Sequence, residues 1–278
     1  MPFKWLYSIS DGLFFVTYHL VGYRKKVVLT NLTNSFPGKN EEEIKTIGKK
    51  FYRHLCDLIV ETIKLRRMGK NDFAERMVIR NPETINAFFE KGQNVTLLTM
   101  HYNNWEWSSC LPMQLRHTIL GVYKPLHNPV FDKYINENRS RMGAQLIQNA
   151  HILRTLIAAR NRNKPVLAWL AADQTPPVFH KFWIRFMNQE AMFYPGPAYL
   201  SKKFNQPVFF QKIEKTARGK YATTFELLFE NPAEKSETEI IKAYIRKMEQ
   251  VIREQPEFYL WSHKRWKHKR PGDVPLHP

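Results

Sequence analysis

The stretch Val95-Thr-Leu-Leu-Thr-Met-His101-Tyr-Asn-Asn-Trp-Glu106-Trp107 limits what this chain can fold into more than any other. A Lys91-Gly92-Gln93-Asn94 turn signal precedes an apolar run from Val95 to Met100, which reads as a buried strand. The run stops at a histidine, two asparagines and a glutamate. Asn103 or Asn104 can cap a following helix, with Glu106 in its first turn, where a carboxylate suits the helix dipole. Within one continuous helix, residues five apart point roughly 140° away from each other. A strand end leading into a helix start instead turns both side chains toward one crevice. In open α/β sheets that crevice, beyond the carboxyl ends of the strands, is where ligands bind.

His101 and Glu106 together suggest a base oriented by a carboxylate. The imidazole would take a proton from an acceptor hydroxyl or amine, while Glu106 would hold its tautomer and stabilise the imidazolium. Taken alone, the spacing favours a plainer arrangement, a half-buried histidine beside a helix-capping glutamate.

After residue 94 the pattern alternates. Strands are expected at Val95–Met100, Thr118–Tyr123, Val166–Ala171, Val208–Ile213 and Tyr221–Phe229, with a short one at Ala144–Ile147. Helices are expected near Trp105–Gln114, Pro129–Met142, Ile152–Arg162, Gly196–Phe204 and Glu237–Gln255. This order predicts an α/β fold, a mixed and largely parallel sheet flanked by helices. The last two strands, joined through Ala217-Arg218-Gly219-Lys220, should form an antiparallel hairpin. Upstream, Asn31–Asn40 reads as a polar connector. Asn40 and Glu43 then stand at capping-box spacing before a helix whose Ile44, Ile47, Phe51, Leu55, Leu58, Ile59 and Thr62 repeat on one face toward the core.

Residues 3–22 present a broad apolar surface if helical, interrupted by Ser8, Ser10, Asp11, Thr17 and His19. A spanning helix needs about 20 mostly apolar residues, and Asp11 near its middle would be costly. A basic n-region and a small-residue cleavage site are both missing, which argues against a cleaved signal peptide. The expectation is an interfacial or marginally spanning anchor over residues 1–26, with Arg24, Lys25 and Lys26 facing an anionic cytoplasmic leaflet. Residues 27–278 then make one α/β domain, long enough to bury a sizeable core. A core helix is the alternative for residues 3–22.

The formal net charge of +18 implies an anionic partner: nucleic acid, an anionic membrane, or an acidic protein or phosphorylated substrate. Cys56 and Cys110 suggest neither a disulfide framework nor a thiolate metal site, which fits a reducing compartment. Asp173-Gln174 ends an apolar strand and opens on the same side as His101, either as part of a site or as a cap on the Thr175-Pro176-Pro177 turn. The segment Val178–Phe193 mixes aromatic and methionine side chains with Lys181 and Arg185, an apolar wall for an acyl chain or a membrane contact. In Trp261-Ser-His-Lys-Arg-Trp-Lys-His-Lys-Arg270, interleaved aromatics favour a membrane interface or nucleic acid over a merely solvated end. His263 and His268 lack metal-spaced neighbours, so no metal is assigned.

The form His101-Tyr-Asn-Asn-Trp-Glu106 resembles the His-x4-Asp/Glu motif of glycerolipid acyltransferases, and is most similar to that of the late lipid A biosynthesis acyltransferases, the lauroyl/myristoyl type. Further blocks occur in the family's order: Gly22-Tyr-Arg-Lys-Lys-Val27, Asn31-Leu32, Ser35-Phe-Pro37, Arg139-Ser-Arg-Met-Gly143, Ala172-Asp-Gln174 and Trp261-Ser-His-Lys-Arg-Trp-Lys267. The chain departs from the pattern at Asn104, where relatives often carry glycine or another residue, and is shorter after Asp173-Gln174. Both departures bear on the acceptor and the acyl chain rather than on the reaction. The resemblance implies transfer of a fatty acyl chain from an acyl-acyl carrier protein thioester to a hydroxyl of a lipid A precursor, at the inner membrane's cytoplasmic face. His101 and Glu106 would be catalytic, with Arg139, Arg141, Asp173 and Asn104 binding substrate. No metal or organic cofactor is needed, and the partners would be acyl carrier protein, an anionic lipid and the membrane surface rather than nucleic acid, with the chain acting as a monomer. Three other readings stay open: acylation of another bacterial glycosyl or amino lipid, a basic nucleic-acid-binding protein, and a noncatalytic lipid-binding relative.

Overall fold

Residues 1–161, 164–177 and 179–277 are described by a computed structural model. Helix α1 (Phe3–Phe15) continues into a π-helical turn over Val16–Val21, which stops at Gly22, φ 61°, in the left-handed region that glycine enters at least cost. One face of α1 packs on the protein: Leu6, Ser10 and Phe14 are buried, and Ser10 Oγ donates to Asp57 at 2.8 Å. Its other face leaves Trp5, Ile9 and Phe15 exposed. No helix among the described residues is long and apolar enough to cross a membrane.

The polar connector expected over Asn31–Asn40 is in large part helical, within α2 (Lys25–Ser35). Val28 and Leu32 are fully buried, and Asn31 finds tertiary partners, its Nδ2 donating to the carbonyls of Trp261 (2.9 Å) and His263 (3.1 Å). A polar residue so satisfied costs a helix little. Helix α3 (Glu41–Leu65) opens on the expected capping box, with both Asn40–Glu43 hydrogen bonds formed. Ile44, Ile47, Phe51 and Leu58 are buried as expected, whereas Ile59 is exposed.

The chain then alternates through α4 (Lys70–Arg76), β1 (Met77–Ile79), α5 (Pro82–Glu90), β2 (Val95–Thr99), a 3-10 helix (Trp105–Met113), β3 (Thr118–Tyr123), α6 (Pro129–Ser140), β4 (Gln145–Gln148), α7 (Ile152–Asn161) and β5 (Val166–Ala171). Of the expected helix Ile152–Arg162, Arg162 lies outside the described residues. There follow β6 (Trp183–Phe186), β7 (Gln189–Met192), α8 (Gly196–Phe204), β8 (Val208–Ala217), β9 (Lys220–Phe229), α9 (Glu237–Glu254) and β10 (Leu276–His277).

The main sheet has the order β1-β9-β8-β2-β5-β3-β4; β8 and β9 pair antiparallel as expected, and the other neighbours are parallel. Helices cover both faces. In β2, Leu98 joins the core shared with α2, α3, α8 and α9, while Val95 and Leu97 join the core beneath α4, α5 and the 3-10 helix. Burial on both faces explains why β2 and β5 read as unbroken apolar runs rather than alternating ones.

The segment expected as an exposed apolar wall is instead a hairpin, β6–β7, with Trp183, Phe186, Met187, Met192 and Phe193 buried. Phe179 stays exposed, and Val178 lies outside the described residues. The basic tail also turns inward: Trp261 and Arg265 are buried, the Arg265 guanidinium lying 4.3 Å from the Phe193 ring centre. Its interleaved aromatics are core contacts rather than a free surface for nucleic acid or membrane.

Candidate active site

In the sheet, β2 and β5 are parallel neighbours with Thr99 opposite Ala171. Two residues beyond each of those positions stand His101 and Asp173, at the carboxyl end where such sheets place their sites. Asp173 Oδ1 lies 2.7 Å from His101 Nδ1, and its Oδ2 accepts the His101 backbone N–H at 3.1 Å. Because a carboxylate only accepts, Nδ1 carries the proton and Nε2 the lone pair. The Gln174 amide nitrogen sits 3.2 Å from Nε2 and donates to it. Burial alone would push the Asp173 carboxyl up, but the charge His101 gains when protonated, together with its hydrogen bonds, outweighs it and holds Asp173 below the usual carboxylate range.

Glu106 therefore does not do what its spacing suggested. Its carboxylate accepts a fork from Arg139, Nε at 2.9 Å and Nη2 at 2.6 Å, together with Trp105 Nε1 at 3.0 Å. Burial works to raise Glu106; the Arg139 guanidinium wins and lowers it. The carboxylate that touches His101 is Asp173, which the sequence had placed on the substrate. Glu106 remains near enough for the two charges to interact, and Trp105 stacks edge-on against the imidazole with ring centres 5.1 Å apart.

The loop between β2 and the 3-10 helix is held from beneath. Asn103 adopts φ 52°, its Nδ2 donating to Ile213 O at 2.7 Å and its N–H to Phe258 O at 3.0 Å. Asn104 is fully buried: its Oδ1 caps the 3-10 helix by accepting from Trp107 N (3.1 Å), and its Nδ2 donates to Glu61 at 2.6 Å. Both polar groups of the Asn104 side chain, which the resemblance assigned to substrate, are thus engaged within the protein. Glu61 also accepts from Tyr7 (2.7 Å) and Tyr221 (2.9 Å), and burial pushes its carboxyl up to about 7 against those hydrogen bonds. Arg141 is likewise structural in its contacts, donating to Leu65 O (2.8 Å) and Met68 O (3.3 Å) at the end of α3.

The C-terminal segment completes the support. Leu260 N donates to His101 O at 3.2 Å, Tyr102 bridges to Tyr259, and Thr175 Oγ1 donates to Arg265 O at 2.7 Å. Burial, and then the Asp173 charge, push the Tyr259 hydroxyl well above its ordinary value, and the same Asp173 charge acts on the buried Arg265 guanidinium. Sequence reasoning missed these roles for Gln174, Tyr259 and Arg265; only Gln174, adjoining Asp173 at a strand end, carried a signal.

His101 opens on a cleft of about 230 Å³ whose lining includes Trp105, Gly121, Arg139, Trp169 and Gln174. Between α3 and α6 runs a second, larger groove of about 590 Å³, with a nearly all-apolar wall. A base with a fixed tautomer, a bidentate arginine pair beside it and an adjoining apolar groove suit deprotonation of a hydroxyl next to a hydrocarbon-bearing reactant.

The sequence profile of the family described as "Bacterial lipid A biosynthesis acyltransferase" matches residues 1–268. The chain is 23% identical over 277 residues to the lipid A biosynthesis lauroyltransferase of Escherichia coli (strain K12), covering 99% of this chain and 89% of that one. Among solved structures, the 1-acyl-sn-glycerophosphate (LPA) acyltransferase of Thermotoga maritima aligns over 90% of this chain and 95% of its own, at 14% identity and a TM-score of 0.40.

Proposed function

Since the chain belongs to the bacterial lipid A biosynthesis acyltransferase family, and is an acyltransferase of that pathway, we propose that it moves a fatty acyl chain from an acyl-acyl carrier protein thioester to a hydroxyl of a lipid A precursor. The observation that carries this mechanism is the His101–Asp173 pair at the carboxyl ends of adjacent strands.

His101 Nε2 takes the proton of the acceptor hydroxyl as its oxygen attacks the thioester carbonyl. Asp173 holds the ring by Nδ1 and stabilises the imidazolium that forms. When the tetrahedral intermediate collapses, the new C–O bond remains, the C–S bond breaks, and the imidazolium returns its proton to the leaving thiolate. Glu106 takes Arg139 by Nε and Nη2, fixing the guanidinium at the cleft wall, where a phosphate of the acceptor suits it.

Two further features support the reading. The apolar groove suits a long acyl chain, and a net charge of +18 would steer an acidic carrier protein and an anionic lipid. The exposed Trp5, Ile9 and Phe15 of α1, with Arg24, Lys25 and Lys26 after it, suit peripheral association with the cytoplasmic face of the inner membrane. The test is transfer by the purified chain from acyl carrier protein thioesters to a lipid A precursor in anionic vesicles. Product is expected with wild type and not with His101→Ala, and a fully active His101→Ala would refute the mechanism.

A further inference from the structure

The His101 cleft and the α3/α6 groove meet at one side chain. Trp105 is the one described residue that lines both. Its indole is pinned on two sides, edge-on against His101 and through Nε1 to Glu106, so it cannot swing aside without breaking both contacts. On its far side the groove offers hydrocarbon surface from Leu58, Ile63, Val130 and Phe131. The hydroxyls there are already committed to α3 carbonyls, Thr62 to Leu58 O at 2.8 Å and Tyr134 to Ile63 O at 3.2 Å. Such a wall has little to offer a polar ligand and suits an alkyl chain.

We propose that Trp105 is the divider between the two spaces and sets which acyl chains the enzyme accepts. This rests on the acyl-transfer reading. The reacting carbonyl must lie within about 3–3.5 Å of the attacking oxygen, itself within hydrogen-bond reach of His101 Nε2. A chain attached to that carbonyl and running into the groove has to pass the edge of the indole in its first methylenes. The bulk of Trp105 fixes the clearance there, and with it where the chain's far end falls. Removing the ring would widen the passage between the spaces and let additional methylenes, or a branch near the carbonyl, be buried. Each methylene newly buried in the transition state is worth about 0.8 kcal/mol, or roughly fourfold in kcat/KM.

The experiment measures kcat/KM for a series of saturated acyl carrier protein thioesters, lengthened in two-carbon steps, with wild type, Trp105→Ala and Trp105→Phe. The readout is the ratio between donors within each variant, which is insensitive to the fraction of enzyme correctly folded. Trp105→Ala is expected to move its optimum to longer chains, raising the long-to-short ratio at least tenfold. Trp105→Phe keeps a ring while losing the bond to Glu106, and should hold the wild-type optimum. If wild type is active and Trp105→Ala keeps the same optimum, the divider is wrong and the acyl-transfer reading stands. If Trp105→Phe shifts the optimum as far as Trp105→Ala does, the bond to Glu106 rather than ring bulk sets it, and the divider is again overturned. A wild type inactive with every donor would overturn both.

Discussion

Asp173→Asn and Glu106→Gln remove one charge each from carboxylates about equally buried, yet they should fail in different ways. Asp173 accepts from both the ring and the backbone of His101, at 2.7 and 3.1 Å. An asparagine there can turn its amide nitrogen toward Nδ1, which then becomes the acceptor and leaves the proton on Nε2, where the base is needed. Loss of a positioned general base costs about 10²–10⁴-fold in rate, and kcat should fall in that range with KM and melting temperature little changed. Glu106→Gln leaves the His101–Asp173 hydrogen bonds in place and strips the Arg139 guanidinium of its bidentate partner. Breaking a buried pair from one side costs about 3–5 kcal/mol. The Arg139 side chain keeps 22% exposure, so the low end applies, a fall in melting temperature of roughly 6 °C for a chain this long. Its kinetic defect should appear chiefly in KM for the acceptor. Kinetics at saturating substrate beside a thermal melt separate the two. A stable Glu106→Gln whose kcat falls as far as that of Asp173→Asn would refute this division of labour between the two carboxylates.

Burial raises the Glu61 carboxyl to about 7, so between the ordinary glutamate value near 4.3 and 7 the folded state holds a proton that the unfolded chain has lost. Stability from this group is full below about pH 4 and is lost as pH rises through 7, by up to about 4 kcal/mol. Denaturant midpoints across that range should decline in wild type, and Glu61→Gln should flatten the decline. Arg141→Ala removes two donors from the carbonyls ending α3 and should cost about 1–3 kcal/mol by chemical denaturation while leaving KM unchanged. On α1, Trp5→Asp with Ile9→Asp should weaken co-sedimentation with anionic vesicles several-fold without moving the melt, since both side chains are exposed. Deleting residues 1–26 is a poorer test, because it also strips Tyr7 from Glu61 and Ser10 from Asp57.

What could be read from residues alone follows from how local each feature is. Strands β2, β3 and β5 were legible nearly to their ends because burial on both faces leaves an unbroken apolar run. The β6–β7 hairpin was not, since its two-residue loop, Met187-Asn188, takes φ 48° and 62° without a glycine to announce the turn. β1, only Met77–Ile79, exists through pairing with the distant β9. The site divides in the same way. His101 and Glu106 stood out because they share one short stretch, and Asp173 because it ends a strand. That Asp173 rather than Glu106 reaches His101 depends on β2 and β5 lying side by side, with two strands between them in sequence. Likewise Asn104 and Arg141 carried polar groups fit for a substrate, and only the packing of α3 beneath them shows those groups already engaged.

The most direct test of the central claim is mass spectrometry of lipid A from cells lacking this protein, complemented with wild type, His101→Ala or Asp173→Asn. Loss of one acyl chain that wild type restores, His101→Ala fails to restore and Asp173→Asn restores poorly is the predicted result. A lipid A profile unchanged by loss of the protein, or fully restored by His101→Ala, would contradict it.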